Sequence, residues 1–233
     1  MKNQYFGDIN DYRKYGLLRL LAEGGRKKIM ICWMLTCNDS RSDGRRISYV
    51  DDPQTWRPFD PELFDFLKFS LDSGIRDVGV VGKEGLIPGA SFHADILGGV
   101  PREDYFRRLH ERSKGVDLIF FDPDNGMEVP TVSKGNANAS KYLFWDEAGD
   151  FYSTGCSLLV YQHFPRVNRR DYARKISGEF FTKVGATEIF SFQTSTVVYF
   201  LLPQPGTGKS FERSVGEVGQ KWKDEFIITR RPS

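Results

Sequence analysis

Apolar residues along this chain fall in short runs separated by stretches of helical period. The runs at 29–35, 116–121 and 157–161 are nearly continuous in apolar side chains, as strands covered on both faces are. A shorter run at 78–81 predicts a further strand. Between these runs, residues 11–23, 60–71, 102–114 and 169–184 read as helices. Leu17, Leu18, Leu20 and Leu21 form the apolar stripe of the first helix, and Gly24-Gly25 ends it. Pro61 stands in the first turn of the second, and Gly74 stops it.

Residues 37–52, 85–91 and 126–134 are rich in polar residues, Gly or Pro and read as loops. The stretch 141–145 suits a strand or a helix start equally. Two last apolar runs, 187–192 and 196–202, flank Gln193-Thr194-Ser195 and predict an antiparallel hairpin. The pattern is that of one α/β domain over residues 1–233, with a mostly parallel sheet and a C-terminal antiparallel hairpin. Residues 50–75 form a helical insertion, and the tail 204–233 is expected to be peripheral.

Composition narrows the class. The 233 residues include 39% hydrophobic and 14% aromatic side chains, enough to build a core. Lys and Arg number 33 against 31 Asp and Glu, a net charge of +2 that does not by itself argue for nucleic acid. No apolar run is long enough to span a membrane, and the first residues are polar, so no membrane partner and a cytoplasmic location are expected. Cys32, Cys37 and Cys156 lack zinc-ligand spacing and read as reduced thiols.

Chemistry concentrates at Asp122-Pro123-Asp124-Asn125-Gly126. It follows a buried strand, where open α/β sheets bind ligands. Asp-Pro and Asn-Gly also form turns, but carboxylates at the end of a buried strand need partners. Trp145-Asp146-Glu147 is a second acidic group, equally suited to a helix N-terminus. His163, in Tyr161-Gln162-His163-Phe164-Pro165, stands at a strand end, as an acid, a base, a metal ligand or a structural histidine. The segment from Gly7 to Gly16 reads on spacing alone as a helix cap and a solvated face. Gly206-Thr207-Gly208-Lys209-Ser210 mimics the end of a phosphate loop, but Pro203 stands where the earlier glycine is required, and no strand-to-helix link is expected there.

Three segments in order resemble the bacterial 23S ribosomal RNA adenine-N6 methyltransferase family of the single-domain type. Gly7, Asp11 and Lys14 match its opening helix motif, Pro88-Gly89-Ala90-Ser91 its Pro-Gly-Ser loop, and Asp122-Pro123-Asp124-Asn125 its Asp-Pro-Pro-Tyr. Parallel units closed by a hairpin also resemble a Rossmann-like, methyltransferase-type sheet. The resemblance implies an S-adenosylmethionine-dependent methyltransferase acting on an exocyclic amine of nucleic acid. It implies cofactor contacts from Lys14, Asp11, Gly89 and Ser91, and a catalytic group of Asp122, Asp124 and Asn125, to which the strand-end position adds His163. Two departures stand out. Residues 35–39 lack the family's glycine-rich turn, and Asp124 and Asn125 replace the Pro and the base-stacking Tyr.

Two other readings share the scaffold. Asp122, Asp124, Asp146 and Glu147, with His163, could hold Mg²⁺ or Mn²⁺ in a nuclease or other hydrolase. A non-catalytic binding module is the third. Arg41, Arg45, Arg46, Arg166, Arg169 and Arg170 are candidate phosphate contacts.

Overall fold

The computed structural model describes residues 1–40, 44 and 46–232. The chain begins with α1 (Ile9–Leu21), β1 (Ile29–Cys32) and the helical insertion α2 (Pro53–Trp56) and α3 (Pro61–Asp72). It continues through α4 (Gly79–Lys83), β2 (Ala90–His93), α5 (Arg102–Arg112), β3 (Leu118–Phe121) and the short pair β4 (Gly126–Met127) and β5 (Tyr142–Leu143). The remainder is α6 (Trp145–Ser153), β6 (Ser157–His163), α7 (Arg169–Glu179), β7 (Glu188–Gln193), β8 (Val197–Leu202), α8 (Gly208–Lys221) and β9 (Ile227–Pro232).

The main sheet has the order β2-β1-β3-β6-β8-β7-β9. The neighbours β2, β1, β3 and β6 are parallel. Each remaining pair, β6 with β8, β8 with β7 and β7 with β9, is antiparallel. The protein is therefore mixed α/β, with a parallel half and an antiparallel half. Alternate residues of each strand feed two cores. Ile29, Ile31 and Phe120 pack on one face with Leu17, Leu18, Phe64 and Trp222. Met30, Cys32 and Phe121 pack on the other with Tyr105, Leu109 and Phe151. Burial on both faces is why these strands read as unbroken apolar runs.

Three expectations need correction. Residues 78–81 are helical, because Asp77 Oδ1 accepts the Gly79 N–H at 2.9 Å and starts the turn of α4. The second strand lies instead at Ala90–His93, beginning at the end of the stretch 85–91 read as a loop. The tail is not peripheral. Helix α8 packs Phe211, Val218 and Trp222 into the core, and β9 extends the sheet beside β7. Gly16 makes this possible, since any side chain there would overlap the Trp222 indole. The glycine-lysine segment does link β8 to α8, contrary to expectation. Its Gly208 abuts the Glu188 carboxylate, which repels phosphate.

Candidate functional site

The Asp122–Gly126 turn leaves the sheet at the carboxyl end of β3, between β1 and β6. The Asp122 N–H donates to Cys32 O at 3.0 Å, and the Asn125 N–H to Lys141 O at 2.9 Å. Helix α1 crosses the same end. Asp8 caps it by accepting from Asn10 N at 2.8 Å, and the first turns place Asp11 and Lys14 over the strand ends. A cavity of about 520 Å³ opens there, lined among others by Tyr5, Asp11, Lys14, Asp122, Asp124, Asn125, Lys141, Tyr161 and His163.

Lys14 is the hub. Its Nζ lies 2.6 Å from Asp11 Oδ1 and 2.7 Å from Asp122 Oδ2, with all three side chains at most 5% exposed. The Tyr15 and Trp33 rings flank the ammonium at 5.1 and 5.2 Å. Burial alone would lower the Lys14 pKa, but Asp11 and Asp122 outweigh it and raise it, so Lys14 stays charged. Burial raises the Asp11 pKa to about 6, against the pull of Lys14, and the nearby Asp122 charge adds to the rise. Two carboxylates sharing one ammonium cannot both be fully compensated. Asp11 therefore takes up a proton at a higher pH than an ordinary aspartate does.

Asp124 accepts from Thr36 Oγ1 at 2.8 Å. The Met1 nitrogen is 2.7 Å from Asp124 Oδ1, 3.0 Å from Asp122 O and 3.3 Å from Met34 O. These three oxygens thus converge on one nitrogen. Met34 takes a left-handed φ of 44°, a strained conformation for a residue with a side chain. The chain therefore makes its turn after β1 without the glycine that the resemblance leads one to expect. Trp33 and Met34 are fully buried there.

The structure brings together Lys14, Asp11, Asp122, Asp124, Asn125 and His163 around one cavity. It does not bring Gly89 and Ser91 there. Gly89 precedes β2 at the amino end of the strands, about 13 Å from their carboxyl ends at ~3.3 Å per residue. Gly89 has a φ of 73° and packs against the Gly25 backbone, so its role is in the turn. Ser91 Oγ donates to Ile29 O at 3.4 Å, inside the sheet.

The acidic metal quartet is also dispersed. Asp146 pairs with Lys134. Glu147 is gripped by Arg102 through Nε at 2.6 Å and a second guanidinium nitrogen at 2.8 Å. Both open α6, the helix-terminal role that acids favour. Among the described residues no group of three His, Cys, Asp or Glu is placed to hold a metal ion. Arg41 and Arg45 lie outside the described residues. Arg46 lines the cavity, while Arg166, Arg169 and Arg170 are exposed after β6.

Asn10, Tyr161 and Thr196 also line the cavity; the first two fall in segments the sequence singled out but received no role there, and Thr196 was not singled out. Tyr161 had a visible signal, an aromatic two residues before the end of a buried strand. Thr196 had none, because it reaches the site only through the pairing of β8 with β6. The lining carries both signs of charge, with the carboxylates of Asp8, Asp11, Asp122 and Asp124 and the cations of Lys2, Lys14, Arg46 and Lys141. Such a lining, with Tyr5 and Tyr161 beside the charges, suits a zwitterionic ligand with an aromatic part.

No protein-family model matches the chain. No curated protein matches its sequence. Among solved structures it is similar to protein LPL1258 from Legionella pneumophila, described with the family model DUF519. That similarity has a TM-score of 0.47 and 12% identity, over 98% of this chain and 97% of the other. A likeness of this size carries no functional argument. No described helix is long and apolar enough to cross a membrane.

Proposed function

We propose that this protein is an S-adenosylmethionine-dependent methyltransferase on a Rossmann-like scaffold, acting on an exocyclic amine of nucleic acid. The observation that carries the proposal is the strand order, in which antiparallel β8 stands between β6 and β7, with the Asp122 turn leaving the carboxyl end of β3. The convergence of Lys14 on Asp122 supports it.

The cofactor supplies a methyl group already activated on a sulfonium, so the protein's task is mainly positioning. With the Met1 nitrogen moved aside from the backbone carbonyl of Asp122 and the carboxylate of Asp124, those oxygens accept N–H bonds from the acceptor amine. Lys14, whose charge is already taken by Asp11 and Asp122, holds the Asp122 side chain in place and leaves a cofactor carboxylate to Lys141 or Arg46. The Tyr5 and Tyr161 rings offer stacking surface. The exposed arginines 166, 169 and 170 offer contacts to a phosphate backbone. Transfer of labelled methyl from the cofactor to RNA or DNA tests the proposal; it is expected to survive chelation of divalent ions and to fall in Asp122→Asn.

The closed turn at Trp33 and Met34 favours a second reading, a binding module on the same scaffold. It predicts that ligand or nucleic acid binds without any methyl transfer.

A further inference from the structure

We infer that Gln162 is a positioning residue of this site, setting the Asp-Pro-Asp-Asn-Gly turn through its side-chain amide. The inference rests on the proposed function for its ligand and on geometry for its mechanism. Gln162 is the second-last residue of β6 and is 3% exposed. It faces the core of Leu158 and Val160, where an apolar side chain is the expected occupant.

Its polar atoms are all engaged. Oε1 accepts the Met127 N–H at 2.8 Å, while Nε2 donates to Asn125 O at 3.0 Å and to His163 O at 2.9 Å. Those partners settle the orientation of the amide. The N–H needs an acceptor and the two carbonyls need donors, so a flipped amide would lose all three bonds. The bonds reach both sides of Gly126 and tie the turn to β6. Gly126 has a φ of 109°, and a side chain on it would overlap the Gln162 amide. The glycine and the glutamine therefore form one unit, with the amide filling the space the glycine leaves.

This clamp sets where Asn125 and its neighbour Asp124 stand. Both line the cavity, whereas Gln162 acts from behind them. No other side chain serves as well. Asparagine is one methylene short, glutamate cannot donate to the two carbonyls when ionised, and methionine fills the space without any hydrogen bond.

The test compares wild type with Gln162→Glu and Gln162→Met, measuring S-adenosylmethionine affinity by calorimetry across pH and amide exchange at Met127 by NMR. Gln162→Glu is expected to weaken binding by about tenfold or more near pH 8. It should recover as the pH falls and the buried carboxyl regains a donor proton. Because a buried carboxylate also disturbs packing when ionised, the pH-dependent rescue is read together with the uncharged Gln162→Met variant. Gln162→Met is expected to weaken binding at every pH and to speed Met127 exchange by about tenfold or more, leaving α1 unchanged. Wild-type affinity in Gln162→Glu near pH 8, or wild-type exchange in Gln162→Met, overturns the inference. Absence of binding by the wild type instead overturns the proposed function, and the exchange experiment still decides the role of Gln162.

Discussion

Lys14 Nζ lies 2.7 Å from Asp122 Oδ2, joining the first helix to the end of the third strand across 108 positions of sequence. The same ammonium pairs with Asp11. Removing it leaves two buried carboxylates facing each other. Lys14→Met is expected to destabilise the fold by about 3–5 kcal/mol, read from urea denaturation at neutral pH. A loss within ~1 kcal/mol would mean that the pair contributes little.

Asp11 gives this cluster a pH dependence of definite sign. Its folded pKa, about 6, lies above the ordinary 3.8, so the native state binds the proton more tightly than the unfolded chain does. Its contribution to stability is present below the unfolded pKa and is lost as pH rises through about 6. Urea unfolding of wild type and Asp11→Asn between those limits should show that contribution only in the wild type. Identical pH profiles would contradict it.

His93 contributes with the opposite sign. It is fully buried on β2, and burial lowers its pKa to about 4. Its stabilising contribution is present above the ordinary histidine pKa and is lost as pH falls through about 4. His93→Gln is expected to resist acid better, relative to its own stability at neutral pH, as followed by near-UV circular dichroism. Equal acid midpoints after that correction would rule out His93 as a source of acid sensitivity.

The α8 contact offers a packing test. A methyl group at position 16 would overlap the Trp222 ring. Gly16→Ala is therefore expected to cost about 1–3 kcal/mol, despite the better helix propensity of alanine, and to shift the tryptophan fluorescence. Unchanged thermal stability would show that α8 yields without cost.

Much of this fold was legible in the sequence. Strands β1, β3 and β6 stood out because burial on both faces leaves no polar alternation, and the hairpin stood out by its turn. Residues 78–81 misled because four residues cannot distinguish a strand from one helical turn. The tail misled because its polar composition concealed Phe211, Val215, Val218 and Trp222, spaced along one helical face. At the site, the chemistry of Asp122 was legible from the strand before it. Its partner was not legible from spacing, since a contact across 108 positions depends on the fold; Lys14 entered through the family resemblance. The same resemblance misplaced Gly89 and Ser91, whose loop packs at the other end of the strands.

Dispersal of the acidic residues yields a prediction about metals. Asp146 and Glu147 are held by Lys134 and Arg102, so Asp146→Ala should leave ligand binding and any methyl transfer within about twofold of wild type. Added Mg²⁺ or Mn²⁺ should not be needed for either. Activity that requires added metal and is lost in Asp124→Ala would restore the hydrolase reading.

The most direct measurement is isothermal titration of the protein with S-adenosylmethionine, with and without Mg²⁺. Saturable binding at one site per chain is expected, with Kd on the order of micromolar. Binding should be indifferent to Mg²⁺ and weakened more by Asp122→Asn than by Asp124→Asn. No heat at millimolar-scale cofactor from a folded protein would contradict it, leaving the cavity at the end of β3 to another ligand.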